Sequence, residues 1–152
     1  MGNEIPINKA EIRKLIPHSG EMCLLDEVAQ WDDRSIRCVT HTHREPTNPL
    51  RRDGHLSAVH AFEYGAQAAA VHGGLQARSA GVTAPPGYLA ALRDARLHAT
   101  RLDDINSSLE VRASRLFGDG ANAVYECRIS AGDTLIAEGR VTIIQRDAQA
   151  AR

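Results

Sequence analysis

The chain has 152 residues, 43% hydrophobic and 24% charged, and 18 Lys and Arg against 19 Asp and Glu leave a net charge of −1. That size suits one domain with one core, and so even a charge balance argues against a nucleic-acid or anionic-membrane partner. No apolar run approaches the roughly 20 residues of a membrane helix, Met1–Pro6 lacks the features of a signal peptide, and Cys23, Cys38 and Cys127 stand far apart, so a reduced, cytoplasmic protein is expected.

Asn8 to Ile16 reads as a short helix, with Asn8 as N-cap, Glu11 in the capping-box position and Pro17 as the stop. Met22 to Trp31 reads as extended and largely buried chain. Ser35 to His43 alternates as a strand does, with Ile36, Cys38 and Thr40 on one face. Pro46, Pro49 and Gly54 mark residues 44–56 as a loop. A helix then begins at the N-cap Ser57 and runs through an Ala-rich stretch to a Gly73-Gly74 stop. His60, Glu63, Tyr64 and Gln67 fall at i, i+3, i+4 and i+7, one face of that helix. The rest of it is mostly Ala, Val and Phe, which predicts burial on nearly all sides. A carboxylate there costs stability unless it is paired, so Glu63 is a functional candidate.

After Pro85-Pro86-Gly87, strand character recurs over Tyr88–Leu102, Ser107–Leu116, Asn122–Ile129 and Thr134–Gln145, the last two joined by a turn at Ser130–Asp133. The order is two strands, one long helix and a meander of about four strands, an α+β layout, and an antiparallel sheet wrapped round the single helix is one way to bury a helix so apolar. Residues 1–146 read as a single domain and 147–152 as a polar tail.

Two segments carry a resemblance. Ile16-Pro17-His18-Ser19-Gly20-Glu21-Met22-Cys23-Leu24-Leu25-Asp26-Glu27-Val28 is similar to the segment L-P-H-R-x-P-F-L-L-V-D-x-V of the FabZ-type 3-hydroxyacyl-acyl-carrier-protein dehydratases. Glu63-Tyr64-Gly65-Ala66-Gln67 is similar to their helical E-A-M-A-Q. The spacing between them suits the fold of that family, and the chain most resembles the divergent dehydratase-like proteins of aryl polyene gene clusters, whose helix begins in the style of A-L-P-G-W-Y-A-L-E-L-M-A-Q. The resemblance implies a hotdog fold and dehydration of a 3-hydroxyacyl thioester to the trans-2-enoyl product. It implies no cofactor of the protein's own, the substrate being carried on the phosphopantetheine of acyl carrier protein or on coenzyme A. It also implies a homodimer or higher oligomer whose sites draw on two subunits.

In such enzymes a histidine removes the α-proton while a helix carboxyl group assists departure of the β-hydroxyl. Glu63 matches the carboxylate and Gln67 the glutamine four residues later, as a substrate-side residue. The backbone N–H groups of Ala58 and Val59, at the start of the helix, are expected to face the thioester carbonyl. The histidine departs from the pattern: H-F-P-G-x-P-x-x-P-G-V-L-x-x-E puts it 14 residues before the carboxylate, whereas His55 stands 8 before Glu63 and His60 only 3. Eight helical residues span about 12 Å, so His55 is expected to reach a Glu63 across a dimer rather than its own. His60 is the second candidate, within reach on the same helix.

The alternatives are a hotdog thioesterase using Glu63, or a catalytically weakened partner subunit of a dehydratase containing a second hotdog chain. His18 reads as structural, Tyr64 and Tyr88 as packing residues, and Arg93, Arg96 and Arg101 as a solvated face. His41 and His43 form an H-x-H pair on one strand face, and without a third ligand no metal site is expected.

Overall fold

The computed structural model describes residues 6–16, 22–83, 87–119 and 122–145. The expected stop at Pro17, the reading of His18, Pro85-Pro86 and the 147–152 tail lie outside these. Asn8 caps the first helix as its position predicts, its side-chain oxygen accepting the Glu11 N–H at 3.0 Å, and α1 runs over Lys9–Leu15. The Glu11 carboxylate turns to Lys14 at 3.0 Å and to Arg78 at 3.6 Å. A two-residue strand just before the helix, β1 (Ile7–Asn8), had no signal in the sequence.

The extended segment after residue 21 becomes a strand only at β2 (Glu27–Trp31), which turns back into β3 (Ser35–Thr40). Asp32 makes that turn, its Oδ1 accepting the Arg34 and Ser35 N–H groups at 2.9 and 2.8 Å. β3 stops three residues short of the expected His43 because the Thr40 and Thr42 hydroxyls both donate to Leu24 O, at 2.6 and 2.7 Å, and Thr42–Arg44 coils into a 3-10 turn.

Ser57 caps a short 3-10 turn, Ala58–His60, which leads directly into α2 (Ala61–Ser79). The expected stop at Gly73-Gly74 is not where the helix ends. A Cβ on Gly74 would lie 3.0 Å from Leu15 O, so this glycine lets α1 approach closely and the helix continues past it. The end comes at Gly81, with φ +77°, where the Gly81 and Val82 N–H groups bond Arg78 O and Ala77 O, a Schellman closure.

The remaining strands are β4 (Gly87–Leu97), β5 (Leu109–Gly118), β6 (Asn122–Ala131) and β7 (Thr134–Gln145). Among the described residues the seven strands form one antiparallel sheet in the order β1-β2-β3-β5-β6-β7-β4. The meander is therefore β5-β6-β7 alone. β4 crosses to the far edge beside β7, and its charges at Arg93, Asp94 and Arg96 suit an edge.

Helix α2 packs across β3, β5, β6 and β7. Tyr64, Ala68, Val71 and Leu75 meet a sheet face of Ile36, Cys38, Val111, Ala113, Cys127, Ile129 and Val141, all buried. Small residues set the separation: a Cβ on Gly65 would fall 2.9 Å from the Cys127 side chain, and one on Gly139 would fall 3.0 Å from Phe62. Each large aliphatic side chain buried here contributes roughly 1.5–3 kcal/mol. This is the hotdog fold, one long helix wrapped by an antiparallel sheet.

Candidate active site

His55 is presented by a tight turn. Asp53 and Gly54 both have positive φ, +53° and +78°, and the Arg52 and His55 backbones exchange hydrogen bonds of 2.8 and 2.9 Å. An Asp-Gly pair with that geometry makes a type I′ turn, and it sets His55 on the closing side. The following residues are pinned to the loop after β4: Leu102 N–H donates to Leu56 O at 2.8 Å, and Leu56 N–H donates to Asp103 Oδ1 at 2.8 Å.

Asp103 is the residue that sequence reasoning missed. Its side chain is only 6% exposed, and Arg101 grips both carboxylate oxygens, Nε at 3.0 Å and Nη2 more closely. Hydrogen bonds from Arg101 hold the carboxyl far below the usual carboxylate range, against the effect of burial. In the sequence, Arg101-Leu102-Asp103-Asp104 reads as an ordinary polar loop, and no spacing marks Asp103 as an anchor. His55 Nδ1 sits 3.9 Å from Asp103 Oδ2, beyond hydrogen-bond distance, and its ring is 60% exposed. His55 and the half-buried His60 share a recess of about 350 Å³ with Leu50, Arg52, Ser57 and Arg101.

Glu63 is elsewhere. It lines a second recess, of about 260 Å³, between α2 and the start of β4, with Met22, Ala66, Ala70, Tyr88 and Leu89. The helix is not enclosed on all sides as its composition suggested. Glu63 is exposed, as is Val59, because the sheet covers the opposite faces of α2 and leaves this line open. Tyr88 is likewise exposed on the rim rather than packed inside. Among the described residues no strand pairs with the outer edge of β4, so this recess lies beside a free sheet edge.

Two further expectations need correction. The Ala58 N–H donates to Thr100 O at 3.0 Å and the Val59 N–H to Ser57 Oγ at 3.3 Å, so neither points unpartnered at a ligand. A carbonyl could compete only for Val59, whose bond is the longer. Gln67 is buried, with both ends of its amide engaged: Nε2 donates to Met22 O at 2.6 Å and Oε1 accepts from Leu24 N at 2.8 Å. Its polar atoms fasten a wall of the Glu63 recess to the helix. Tyr64 packs as expected and also bonds, its hydroxyl meeting Thr42 Oγ1 at 2.8 Å and Asn48 Nδ2 at 3.1 Å.

His41 and His43 do not share a face. The 3-10 turn leaves His41 exposed near Asp26 and buries His43, whose Nε2 lies 3.1 Å from Ile105 O. Arg93 and Arg96 are exposed as expected, whereas Arg101 is committed to Asp103.

A family model described as ApeP dehydratase matches residues 10–152, nearly the whole chain. The chain belongs to the ApeP-like family. The resemblance in the Ile16–Val28 and Glu63–Gln67 segments to the hotdog dehydratases of aryl polyene clusters therefore holds. Among solved structures, the dehydratase heterocomplex ApeI:P from Xenorhabdus doucetiae matches this ApeP-like chain with a TM-score of 0.84 and 25% identity, over 92% of this chain and 93% of that one. More distant matches share the fold alone. The virulence protein Cj0977 from Campylobacter jejuni has a TM-score of 0.59 and 14% identity over 91% of this chain and 89% of its own. A mutant of the thioesterase SAV0944 from Staphylococcus aureus has 0.56 and 13% over 79% and 92%. No match was found among curated protein sequences. Among the described residues no helix is long and apolar enough to cross a membrane.

Proposed function

We propose that this ApeP-like protein works in the dehydration of a 3-hydroxyacyl thioester, carried on acyl carrier protein or coenzyme A in the cytoplasm, as one half of a two-subunit site. A histidine, His55 or His60, removes the α-proton. The Glu63 carboxyl group assists the β-hydroxyl in leaving as water, and the C2–C3 double bond forms. The Val59 N–H would have to exchange its 3.3 Å bond to Ser57 Oγ for the thioester oxygen, while Ala58 and Gln67 act as supports of the loop and the recess wall. The observation that carries the reading is the division of the candidate groups between two recesses, Glu63 in one and both histidines in the other. Separate recesses for Glu63 and the two histidines favour a site completed across subunits, and the free edge of β4 beside Glu63 is where a second hotdog chain would bring the missing partner. The heterocomplex of the related ApeI:P structure favours a different hotdog subunit in that place over a second copy of this chain.

The test is turnover of 3-hydroxyacyl thioesters, and hydration of the 2-enoyl thioesters, by the purified chain alone and mixed with a second hotdog subunit. Wild type is compared with Glu63→Gln, His55→Ala and His60→Ala. Activity that falls at least a hundredfold with Glu63→Gln and with one histidine variant is expected. Release of free thiol would assign a thioesterase instead. Activity in the mixture that ignores all three variants would reduce this chain to a structural subunit.

A further inference from the structure

We propose that the outer face of the sheet, away from α2, is a docking surface for an acidic protein, the carrier that presents the thioester. This inference rests on the carrier-borne substrate proposed above. Cross-strand register lines up Arg37 of β3, Arg112 of β5, Arg128 of β6, Glu138 of β7 and Arg96 of β4, one residue from each of five adjacent strands. Burial alternates along these strands, with Cys38, Val111, Ala113, Cys127 and Ala137 turned inwards, so the row stands on the solvent side. The next row sets Glu126, Arg140 and Arg93 side by side.

Arg37 faces Arg112 directly and Arg112 faces Arg128, and like charges opposite one another destabilise a sheet. Glu110 offsets part of this, pairing with Arg37 at 3.4 Å and Arg112 at 2.8 Å, while Glu138 pairs with Arg128 and His98. Among the described residues Arg93, Arg96 and Arg140 form no ion pair within 4.0 Å. Six arginines thus stand among four glutamates, Glu27 joining through its register with Val39 and Glu110, with Asp94 at the strand edge, on a chain whose net charge is −1. The face is slightly basic, while the rest of the chain is net acidic.

The chemistry of the face selects its partner. Guanidinium groups bind carboxylates in a two-pronged geometry. The interspersed glutamates repel a continuous phosphate backbone, so a protein surface with spaced carboxylates fits and a nucleic acid does not. The face also connects the two recesses. β4 carries Arg93 and Arg96 between the residues beside Glu63, Tyr88 and Leu89, and the loop of Thr100 and Arg101 beside the histidines.

The experiment measures binding of a phosphopantetheine-bearing acyl carrier protein to the full chain, by calorimetry at two salt concentrations, without reference to turnover. Wild type is compared with the double variant Arg112→Glu/Arg128→Glu and with Lys14→Glu, a control on the exposed side of α1. Binding that weakens with salt, and by at least about tenfold in the double variant but not in the control, is expected. Equal affinity of wild type and double variant overturns the inference, as does a wild type that turns over coenzyme A thioesters yet binds no carrier. Tighter binding of a single-stranded RNA through the same arginines would also overturn it. Arginine-dependent carrier binding without dehydration, alone or in the mixed complex, keeps this surface and removes the proposed reaction.

Discussion

The Gln67 amide takes the place of a strand partner for Met22–Leu24, satisfying a buried donor and a buried acceptor that no ladder reaches. Removing it leaves the Leu24 N–H buried without a partner, and such an orphan costs about 1–3 kcal/mol. Gln67→Leu, close in volume, is therefore expected to lower the unfolding free energy by that amount, read as a lower urea midpoint with the m-value unchanged, because the unfolded surface is the same. An unchanged midpoint would mean that the Met22–Leu24 segment is held by the Thr40 and Thr42 hydroxyls alone. Sequence placed Gln67 correctly on the helix face yet gave it a ligand to hold, since spacing reports a direction and not the atom met along it. Glu63 shows the same limit: its helical position was legible, whereas its exposure depended on which flank of α2 the sheet leaves uncovered.

Helix α2 sits on the sheet at a distance set by glycine. A methyl at Gly65 would overlap both Cβ and Sγ of Cys127 at 2.9 Å, and a Cβ contact cannot be relieved by rotating the cysteine side chain. Gly65→Ala must therefore shift the helix or the strand, an overpacking cost of about 1–3 kcal/mol that exceeds the gain in helix propensity of at most about 1. A fall in Tm of roughly 3–10 °C is expected by calorimetry. A rise in Tm would show that the helix has room to move. Caps and turns that depend on neighbouring residues were readable in the sequence: Asn8 and Ser57 as N-caps, and the Gly132 turn between β6 and β7. Gly73-Gly74 misled because a glycine that admits a neighbouring helix looks the same, in one sequence, as one that ends its own. The placement of β4 was hidden for a related reason. Strand character is local, whereas pairing with β7 rather than β5 is decided by how the loop of residues 98–108 crosses the fold.

At the scale of the molecule, the Ala-rich helix and the strand count were enough to suggest a sheet wrapped round α2, while the separation of the candidate residues into two recesses was visible only once the loops were placed. The fold also fixes a pH dependence of its own. His72 lies inside the sheet, fully buried, with Nε2 at 2.7 Å from Asp32 O and Nδ1 at 2.6 Å from the Tyr125 hydroxyl. A carbonyl only accepts, so Nε2 carries a proton; burial favours the neutral ring, whose Nδ1 then accepts from the Tyr125 hydroxyl. Burial is the main force lowering the pKa of His72, and of His43 at the other end of the core. Both folded values lie below the ordinary histidine value of about 6.5, so at mildly acidic pH the unfolded chain binds protons that the folded chain refuses. Stability from this source is fully present above about pH 6.5 and falls as the pH drops below it, by at most about 1.4 kcal/mol per pH unit for each histidine. The carboxylates held low by their partners, Asp26, Asp32 and Glu110 among them, weaken the fold only at more acidic pH, below about 4. Urea unfolding at pH 7.5 and 5.5 should thus show a stability lower by about 1–3 kcal/mol at the acidic value, and His72→Gln should remove about half of that difference while lowering stability at both. A midpoint that does not move between the two pH values would mean that the folded core takes up protons at His72 and His43 as readily as the unfolded chain does.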